Sequence, residues 1–492
     1  SSGWSSGSNS NNCTSKATPC ATTSGVEAKM SSGDTAIFGN GSYSTPSCNL
    51  VYGSPSNGYT TIKAEQMGGV SMGGVNCQFS TGTHPAYWTF DGLLFTSNTI
   101  VANVDHIKFL RNGSPDGGAG NSANFAAGQG ASYILFENNY AWGQGRYKFL
   151  AWHANNIVMR GNVARLDAEP FSDNQNLAGL VMYTMSNGEM HNNIVIDSDH
   201  PELWPDGIRN GCYYFPTTSG STTNINMSNN VCLNSALGGI QEDGYEGGGG
   251  NYSQVNATNN VIWDAWSQNG WLGINYSRGS KSVWSGNTFG VGRAGALSYM
   301  SLYASNGVTV YNNIFYNPVV STASSWTNGS HDYNVFYSAS GLPSLSGHES
   351  TSKNPIWNAS TNSNGALKYI TRIEAGSNLA GSGQSGANIG ATLQYMVGVP
   401  GTMYGEPGYN TVQSTPMWPF PHEDVIKMKM AAYSYGTLSG ARGFAAPGTG
   451  KYGGPITLTS YVWEYLGNPC PVDICSQSST TTLSAPTDLR IN

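Results

Sequence analysis

One phrase recurs through the middle of the chain: a polar pair ending in Asn, then a short apolar run. It appears as FENNYAW at 136–142, MRGNVARL at 159–166, MHNNIVID at 190–197 and MSNNVCLN at 227–234. It returns as ATNNVIWD at 257–264, WSGNTFGV at 284–291, VYNNIFYN at 310–317 and HDYNVFYS at 331–338. The second polar residue is always Asn: Asn139, Asn162, Asn193, Asn230, Asn260, Asn287, Asn313 and Asn334. The steps between them are 23, 31, 37, 30, 27, 26 and 21 residues. A bounded but drifting period is the mark of a solenoid whose coils carry loops of different length.

Each coil of such a solenoid exposes backbone donors and acceptors above and below, and its neighbours pair with them. Short runs such as Val261-Ile262-Trp263 alternate their side chains inward and outward. Asn belongs where the chain bends, because it tolerates left-handed geometry and bonds nearby backbone. Stacked in register, such Asn side chains can also bond one another along the axis. The fold class expected is all-β, a parallel β-helix, rather than a sandwich of short strands.

Charged residues make up 10% of the chain, against a usual ~25%. The surface is therefore built from Asn, Ser, Thr, Gly and Tyr. A net charge of −7 argues against a nucleic-acid partner. No apolar run reaches the ~18 residues of a membrane-spanning helix. The cysteines are Cys13, Cys20, Cys48, Cys77, Cys212, Cys232, Cys470 and Cys475. Their spacings do not suit zinc. Proximity favours Cys13–Cys20, Cys48–Cys77, Cys212–Cys232 and Cys470–Cys475, although sequence alone leaves the connectivity open. Disulfides imply an oxidising compartment, so a secreted or cell-surface location is expected. No signal peptide is visible, as in a mature chain. Sequons such as those at Asn12, Asn226 and Asn328 would allow glycosylation.

Four regions follow in order. Residues 1–25 form a Ser/Gly-rich arm, 26–391 the β-helix, 392–475 a cap with two short helices, and 476–492 a Ser/Thr-rich tail. Early coils are read at 35–38, at YTTIKAE (59–65) and at YWTFDGLLF (87–95), with Asp91-Gly92 as a bend. In the cap, Pro421 can open a helix with Glu423 and Asp424 in its first turn. Its apolar face is expected at Val425, Met428 and Ala432. A second helix is expected over 457–469, capped by Thr459 or Ser460 and ended by Gly467. Both would cover the open end of the solenoid, where unpaired strand edges are exposed, or form a small docking domain.

The run GDTAIFGNGSY, then TIKAE, WTFDGLLF and the repeated Asn phrase, resembles the secreted right-handed parallel β-helix proteins of the pectate-lyase-like superfamily. The close AGSNLAGSGQSGANIGA at 375–391 resembles the end of such helices, with Asn388 where Asp is usual. The resemblance covers roughly residues 30–391. It implies the fold. For activity it leaves open lyases, hydrolases, epimerases, tailspikes and adhesins, and the family's familiar lyase signatures are not recognisable in the chain.

Polar candidates cluster in the two longest steps. The first carries Arg165, Asp167, Glu169 and Asp173, the second Asp197, Asp199, His200, Glu202, Asp206 and Arg209. Glu242, Asp243, Glu246, Asp264 and Arg278 follow. A lyase reading takes Asp197, Asp199, Asp206, Arg209, Glu242 and Asp243 as catalytic candidates. Asp167, Glu169, Asp199 and Glu202 would be oxygen ligands for Ca²⁺. Arg165, Arg209 or Arg278 would act at the uronate C5. A hydrolase would instead pair two carboxylates across a cleft about 5–9.5 Å apart. The plainer reading is turn chemistry, as Asp206-Gly207 and Asp243-Gly244 are ordinary bends. Asp197, Asn234 and Asp264 each sit four past their Asn and are expected to stack as a ladder. Trp142, Trp152, Trp263, Trp266 and Trp271 read as core fillers, those exposed being able to stack on sugars. His191 reads as a satisfied structural residue.

Two classes of function compete, with a third beside them. Low charge and ordered low-complexity ends point first to a structural protein, a self-associating subunit of a filament, sheath or surface layer. Its N- and C-terminal segments would lie on a neighbouring copy. The acidic loops point to a secreted polysaccharide lyase or glycoside hydrolase. A carbohydrate-binding adhesin would use the same groove without chemistry.

Overall fold

The computed structural model describes residues 5–167, 177–198, 211–217, 220–243, 253–265, 275–277, 281–292, 299–302, 308–317, 319–320, 329–342, 344–357 and 367–475. Side chains at 243, 275–277, 299–302 and 319–320 lie outside this description.

The chain winds into a right-handed parallel β-helix with three sheets. The first and second sheets have 12 strands each and the third has 10. Strands recur in a fixed cycle: first sheet, second sheet, third sheet, then up one coil. In the coil around Asn162 these are Asn155–Arg160, Val163–Ala164 and Ala178–Tyr183. The helix starts at Thr35–Phe38 and its sheets run to Val335–Tyr337. Residues 344–357 and 367–391 add only isolated bridges, such as Val335 to Ser350.

The Asn pair is the bend between the first and second sheets, and its two members do different work. The first residue takes the left-handed conformation: Asn138 (φ 56°), Gly161 (66°), Asn192 (57°), Asn229 (58°), Asn259 (57°), Gly286 (62°) and Asn312 (59°). Asn and Gly predominate because they adopt φ > 0 at least cost. The second residue points inward and builds a ladder. Asn193 Nδ2 donates to Asn230 Oδ1 at 2.9 Å and to the Met159 carbonyl at 2.9 Å. The Asn193 backbone N–H donates to the same Asn230 oxygen at 2.9 Å. The pattern repeats from Asn112 to Asn334, so it begins one coil earlier than the repeated phrase. Glu349 closes it, accepting from Asn334 Nδ2 at 2.8 Å. Each buried amide thus finds its partners, as a buried polar group must.

Inside, aromatic rings stack from coil to coil. Phe109 lies 5.4 Å from Phe90 and 5.3 Å from Phe136, and Phe315 lies 5.2 Å from Phe289 and 4.9 Å from Phe336. Offset stacking of this kind adds to burial. All four expected disulfides are present, and among the described residues no cysteine is free.

The N-terminal arm is held by its own chain. Ser5 and Ser8 backbone N–H groups donate to the carbonyls of Lys16 and Pro19. Thr22 caps helix α1 (Thr23–Glu27), Thr23 Oγ1 donates to the Ser44 carbonyl at 2.8 Å, and Lys16 pairs with Glu65. Residues 476–492 lie outside the described residues.

After the helix the chain turns back along its flank. The first residues of four of the pairs hold this return. Asn312 Oδ1 accepts from the Gln384 N–H at 2.7 Å, Asn259 clasps Thr392, Asn229 Nδ2 donates to the Tyr395 carbonyl and Asn192 clasps Val397. Helices α2 (Glu423–Ala431), α3 (Leu458–Trp463) and α4 (Val472–Cys475) follow. They belong to the apolar layer on the outward face of the second sheet, with Tyr140, Ile194, Val231, Leu233 and Trp263. The expected position over the open end therefore differs from the observed one on the flank. The reason lies in the sheet: its outward face is apolar, and burying that row gains more than covering one coil edge. In α2 the buried face is Ile426 and Met430, while Met428 is 57% exposed. Thr457, not Thr459 or Ser460, caps α3, with Ser460 completing a reciprocal capping box.

Candidate functional site

The bend between the first and second sheets keeps nearly the same length from coil to coil. All the large variation falls on either side of the third sheet. Segments 165–177 and 197–210 join the second sheet to the third, and 244–254 joins the third to the first. Insertions gathered on one side of a solenoid mark its working face. The other faces are engaged by the chain itself. The second sheet carries the layer of Met417, Phe420, Met430, Phe444 and Trp463. The middle of the first sheet carries Met403, packed on Leu135 and Val158. Among the described residues, the outward cluster on the third sheet contains only residues of that sheet: Ala123, Ala126, Tyr147, Ala178, Val181 and Tyr214, with Ile100, Leu150 and Tyr183 at its margin.

At one edge of this face stands Lys148, second residue of the strand Tyr147–Trp152. The side chain is fully buried. Its ammonium donates to the Gly143 carbonyl at 2.6 Å, the Gln144 carbonyl at 2.8 Å and Asn124 Oδ1 at 3.2 Å. Burial drives the amine down to about 7, against the opposing pull of Asp167 and Asp116. Arg146 lies at the same edge, over the Tyr147 ring at 4.8 Å and donating to Asn121 Oδ1 at 2.8 Å. At the opposite edge Trp152, 39% exposed, is the register partner of half-buried Tyr183. Lys148 is thus an enclosed amine with a lowered pKa beneath the edge of the face, and the face itself carries two aromatic residues in register.

Lys148 and Tyr183 were not among the residues singled out from sequence, whereas Trp152 was, as a ring able to stack on a sugar if exposed. The available signal was small: a Lys inside the apolar strand YKFLAW of a chain with few charges.

The carboxylates that were singled out go elsewhere. Asp197 is fully buried and ends the second-sheet strand Ile194–Ile196 at φ 52°. Oδ1 accepts from Asn234 Nδ2 at 2.9 Å and Tyr461 Oη at 2.8 Å, and Oδ2 accepts from the Phe444 N–H at 2.9 Å. Burial still holds this carboxyl above its ordinary range. Asp167, also fully buried, gives Oδ1 to Arg165 Nε at 2.8 Å and Arg442 Nη2 at 2.9 Å, and Oδ2 to the Gly143 N–H at 3.0 Å. Arg165 donates onward to the carbonyls of Gly440 and Met430. These groups clamp the C-terminal segment to the second sheet. An oxygen shared by two guanidiniums is not available to calcium, so Asp167 does not fit the ligand set expected of it.

The ladder of Asp197, Asn234 and Asp264 does form, at one register position and with φ of 52°, 49° and 49°. It serves α3, since Tyr465 Oη donates to Asp264 Oδ2 at 2.8 Å just as Tyr461 does to Asp197. Glu242 is fully buried and accepts from Ser282 Oγ at 2.6 Å. Its strand places it on the same side as Ile240 of the core. Asp243 ends that strand, with its side chain outside the description. Glu169, Asp173, Asp199, His200, Glu202, Asp206, Arg209, Glu246, Trp266, Trp271 and Arg278 lie outside the described residues. Of the tryptophans described, Trp142 and Trp263 are core and Trp152 is exposed.

No family model matches the chain, and no curated protein matches it. Among solved structures it is similar to pectate lyase Pel9A, with TM-score 0.41 and 14% identity over 79% of this chain and 97% of that one. It is also similar to alginate lyase AlyF-OU02 in complex with G6, with TM-score 0.38 and 13% identity over 68% and 82% of the two chains. A rhamnogalacturonan lyase gives TM-score 0.31 and 14% identity over 75% and 89%. At these identities the likeness concerns the fold alone.

Proposed function

We propose that the protein is a secreted enzyme that cleaves an acidic polysaccharide by β-elimination along the outward face of the third sheet. One observation carries this reading. Among the described residues the chain engages its other two faces itself, its longest connections lead into and out of the third sheet, and Lys148 lies enclosed beneath that sheet's edge. Four disulfides accord with export to an oxidising compartment.

The reaction removes the proton α to a uronate carboxylate and expels the glycosidic oxygen at the β carbon. A base performs this best when its pKa lies near the working pH. Lys148, brought to about 7, is neutral in half the molecules there. Its unprotonated Nζ takes the C5 proton once the substrate displaces the turn at 143–145, whose carbonyls the amine otherwise holds. Arg146 supplies positive charge beside the uronate, and Trp152 with Tyr183 stacks a neighbouring sugar ring. No step is assigned to calcium.

The test is a panel of uronate polymers, followed both by the ultraviolet absorbance of an unsaturated product and by new reducing ends. Unsaturated product that Lys148→Ala abolishes supports the reading. Reducing ends without unsaturation would make the protein a hydrolase. Cleavage undiminished in a folded Lys148→Ala variant would overturn the assignment of the base.

The filament reading remains open to electron microscopy of the native material across concentrations. In the N-terminal arm, Ser5, Ser8 and Thr23 have partners within their own chain.

A further inference from the structure

We propose that Ser228, His191 and Glu189 form a second site, one that hydrolyses small acyl esters on the outward face of the first sheet. Three residues from adjacent coils meet there. Glu189 and His191 belong to the strand Ser186–His191, and Ser228 ends the next strand up, Thr223–Ser228. His191 and Ser228 are register partners. His191 Nδ1 lies 2.7 Å from Ser228 Oγ, and His191 Nε2 lies 2.8 Å from Glu189 Oε2.

The carboxylate settles the tautomer. An ionised Glu only accepts, so Nε2 must carry the proton. The neutral ring then presents a bare Nδ1 to Ser228, whose hydroxyl donates. This is the arrangement of a nucleophile, its base and the group that orients the base, with the two ring nitrogens exchanged relative to the common protease order. Glu189 is itself fixed. Asn226 Nδ2 donates to its other oxygen at 3.1 Å, and Asn256 Nδ2 donates to Asn226 Oδ1 at 3.0 Å.

Access differs along the line of three. Glu189 and His191 are buried, whereas Ser228 is half-exposed and its register partner Thr258 is exposed. The returning segment supplies a rim of Tyr404, Tyr409 and Asn410, with Asn410 Nδ2 3.4 Å from Glu189 Oε1. A rim of amides and phenols on a flat sheet suits a hydroxyl-rich carrier with a small acyl group, such as an O-acetylated sugar.

The chemistry balances with water as the only co-reactant. Ser228 Oγ attacks the ester carbonyl while its proton passes to His191 Nδ1. The tetrahedral oxyanion meets the Thr258 hydroxyl, one strand spacing of about 4.8 Å along the sheet. Collapse breaks the ester C–O bond, and the leaving alkoxide takes the proton from His191. Water, deprotonated by the same nitrogen, then releases the acid and restores Ser228.

The experiment uses the intact protein with p-nitrophenyl acetate and, separately, a fluorophosphonate probe read by intact mass and peptide mapping. Hydrolysis above buffer is expected, with one probe per chain at Ser228. Ser228→Ala, checked for fold by circular dichroism, should lose the label and about 10²–10⁴-fold in rate. Glu189→Gln tests a positioning role. It should keep Ser228 in place yet change the pH profile, because an amide no longer dictates the tautomer. The charged and titratable groups facing the site in that profile are Tyr404, Tyr409 and Arg160, the last paired to Glu137 at 2.7 Å. Absence of a label at Ser228, or equal rates for Ser228→Ala and the native chain, overturns the proposal. Polysaccharide cleavage at the third sheet should be indifferent to Ser228→Ala, so the two sites fail independently.

Discussion

Tyr461 of helix α3 donates its hydroxyl to Asp197 at 2.8 Å, across 264 residues of sequence. A carboxylate in a long loop of a solenoid invites a catalytic reading. Here it is the socket into which the C-terminal segment plugs. Tyr461→Phe should cost about 1–3 kcal/mol, the price of one buried acceptor losing a donor. Asp197→Ala, which also strands the Phe444 N–H, should cost about 3–5 kcal/mol. Denaturant unfolding measures both. Turnover per folded molecule should not change in either variant.

Lys148 makes stability depend on pH. Its folded pKa, about 7, lies below the ordinary lysine value of 10.5. Between those values the unfolded chain binds more protons than the folded one, so stability rises with pH across that window. The penalty is complete below about 7. Lys148→Met should flatten the curve between roughly pH 7 and pH 10, read by urea midpoints. If Lys148 is the base proposed above, cleavage by the native protein should rise with pH through about 7, as the amine loses its proton.

The Asn ladder should respond very differently at its two positions. Asn230→Ala removes the acceptor of the Asn193 N–H and Nδ2 and the donor to Asn260 and Met190. At about 1–3 kcal/mol for each buried group left unpaired, a loss of at least ~4 kcal/mol is expected. Asn138→Gly, at φ 56°, keeps the left-handed bend and should cost less than about 1 kcal/mol. Thermal melts of the two variants separate these roles.

The last coil should loosen as pH rises through the elevated folded pKa of His331. His331 Nδ1 bonds Glu349 at 2.8 Å, and that bond raises the His331 pKa. A raised base stabilises fully below its unfolded value of about 6.5 and loses the effect as pH climbs through the folded value. Hydrogen exchange at Val335–Tyr337 should quicken over that range. Glu349→Gln should abolish the pH dependence and speed exchange throughout, because the same carboxylate closes the ladder at Asn334.

Trp152 and Tyr183 should govern binding rather than chemistry. Either one changed to Ala should weaken polysaccharide binding about tenfold, some 1.4 kcal/mol. Calorimetry or retention on immobilised polymer would show it. Asn138→Gly, remote from that face, serves as the control.

The repeat was legible because it is local. A bend of two residues, a left-handed first member and an amide that bonds its copy one coil away all leave a mark at short range in sequence. The four disulfides were legible for the same reason, each closing between near neighbours. The face of α2 was misplaced, with Val425, Met428 and Ala432 expected to be buried. Its helix presents Ile426 and Met430, and a short helix with Met at 428 and 430 offers two apolar stripes that only the docking surface separates.

By itself, then, the sequence determined the coil: a parallel β-helix, its period, its Asn bends and its oxidised cysteines. Only the tertiary structure decided which polar groups are free to act. Asp167 and Asp197 meet Arg442, Phe444 and Tyr461 more than two hundred residues downstream, and that contact turns apparent catalytic groups into anchors. Lys148 acquires its low pKa from burial, a property of the assembled coil rather than of the strand. Ser228, His191 and Glu189 come together because one register places successive coils side by side. Covalent neighbours and periods are written along the chain, whereas desolvation and convergence depend on what folds against what.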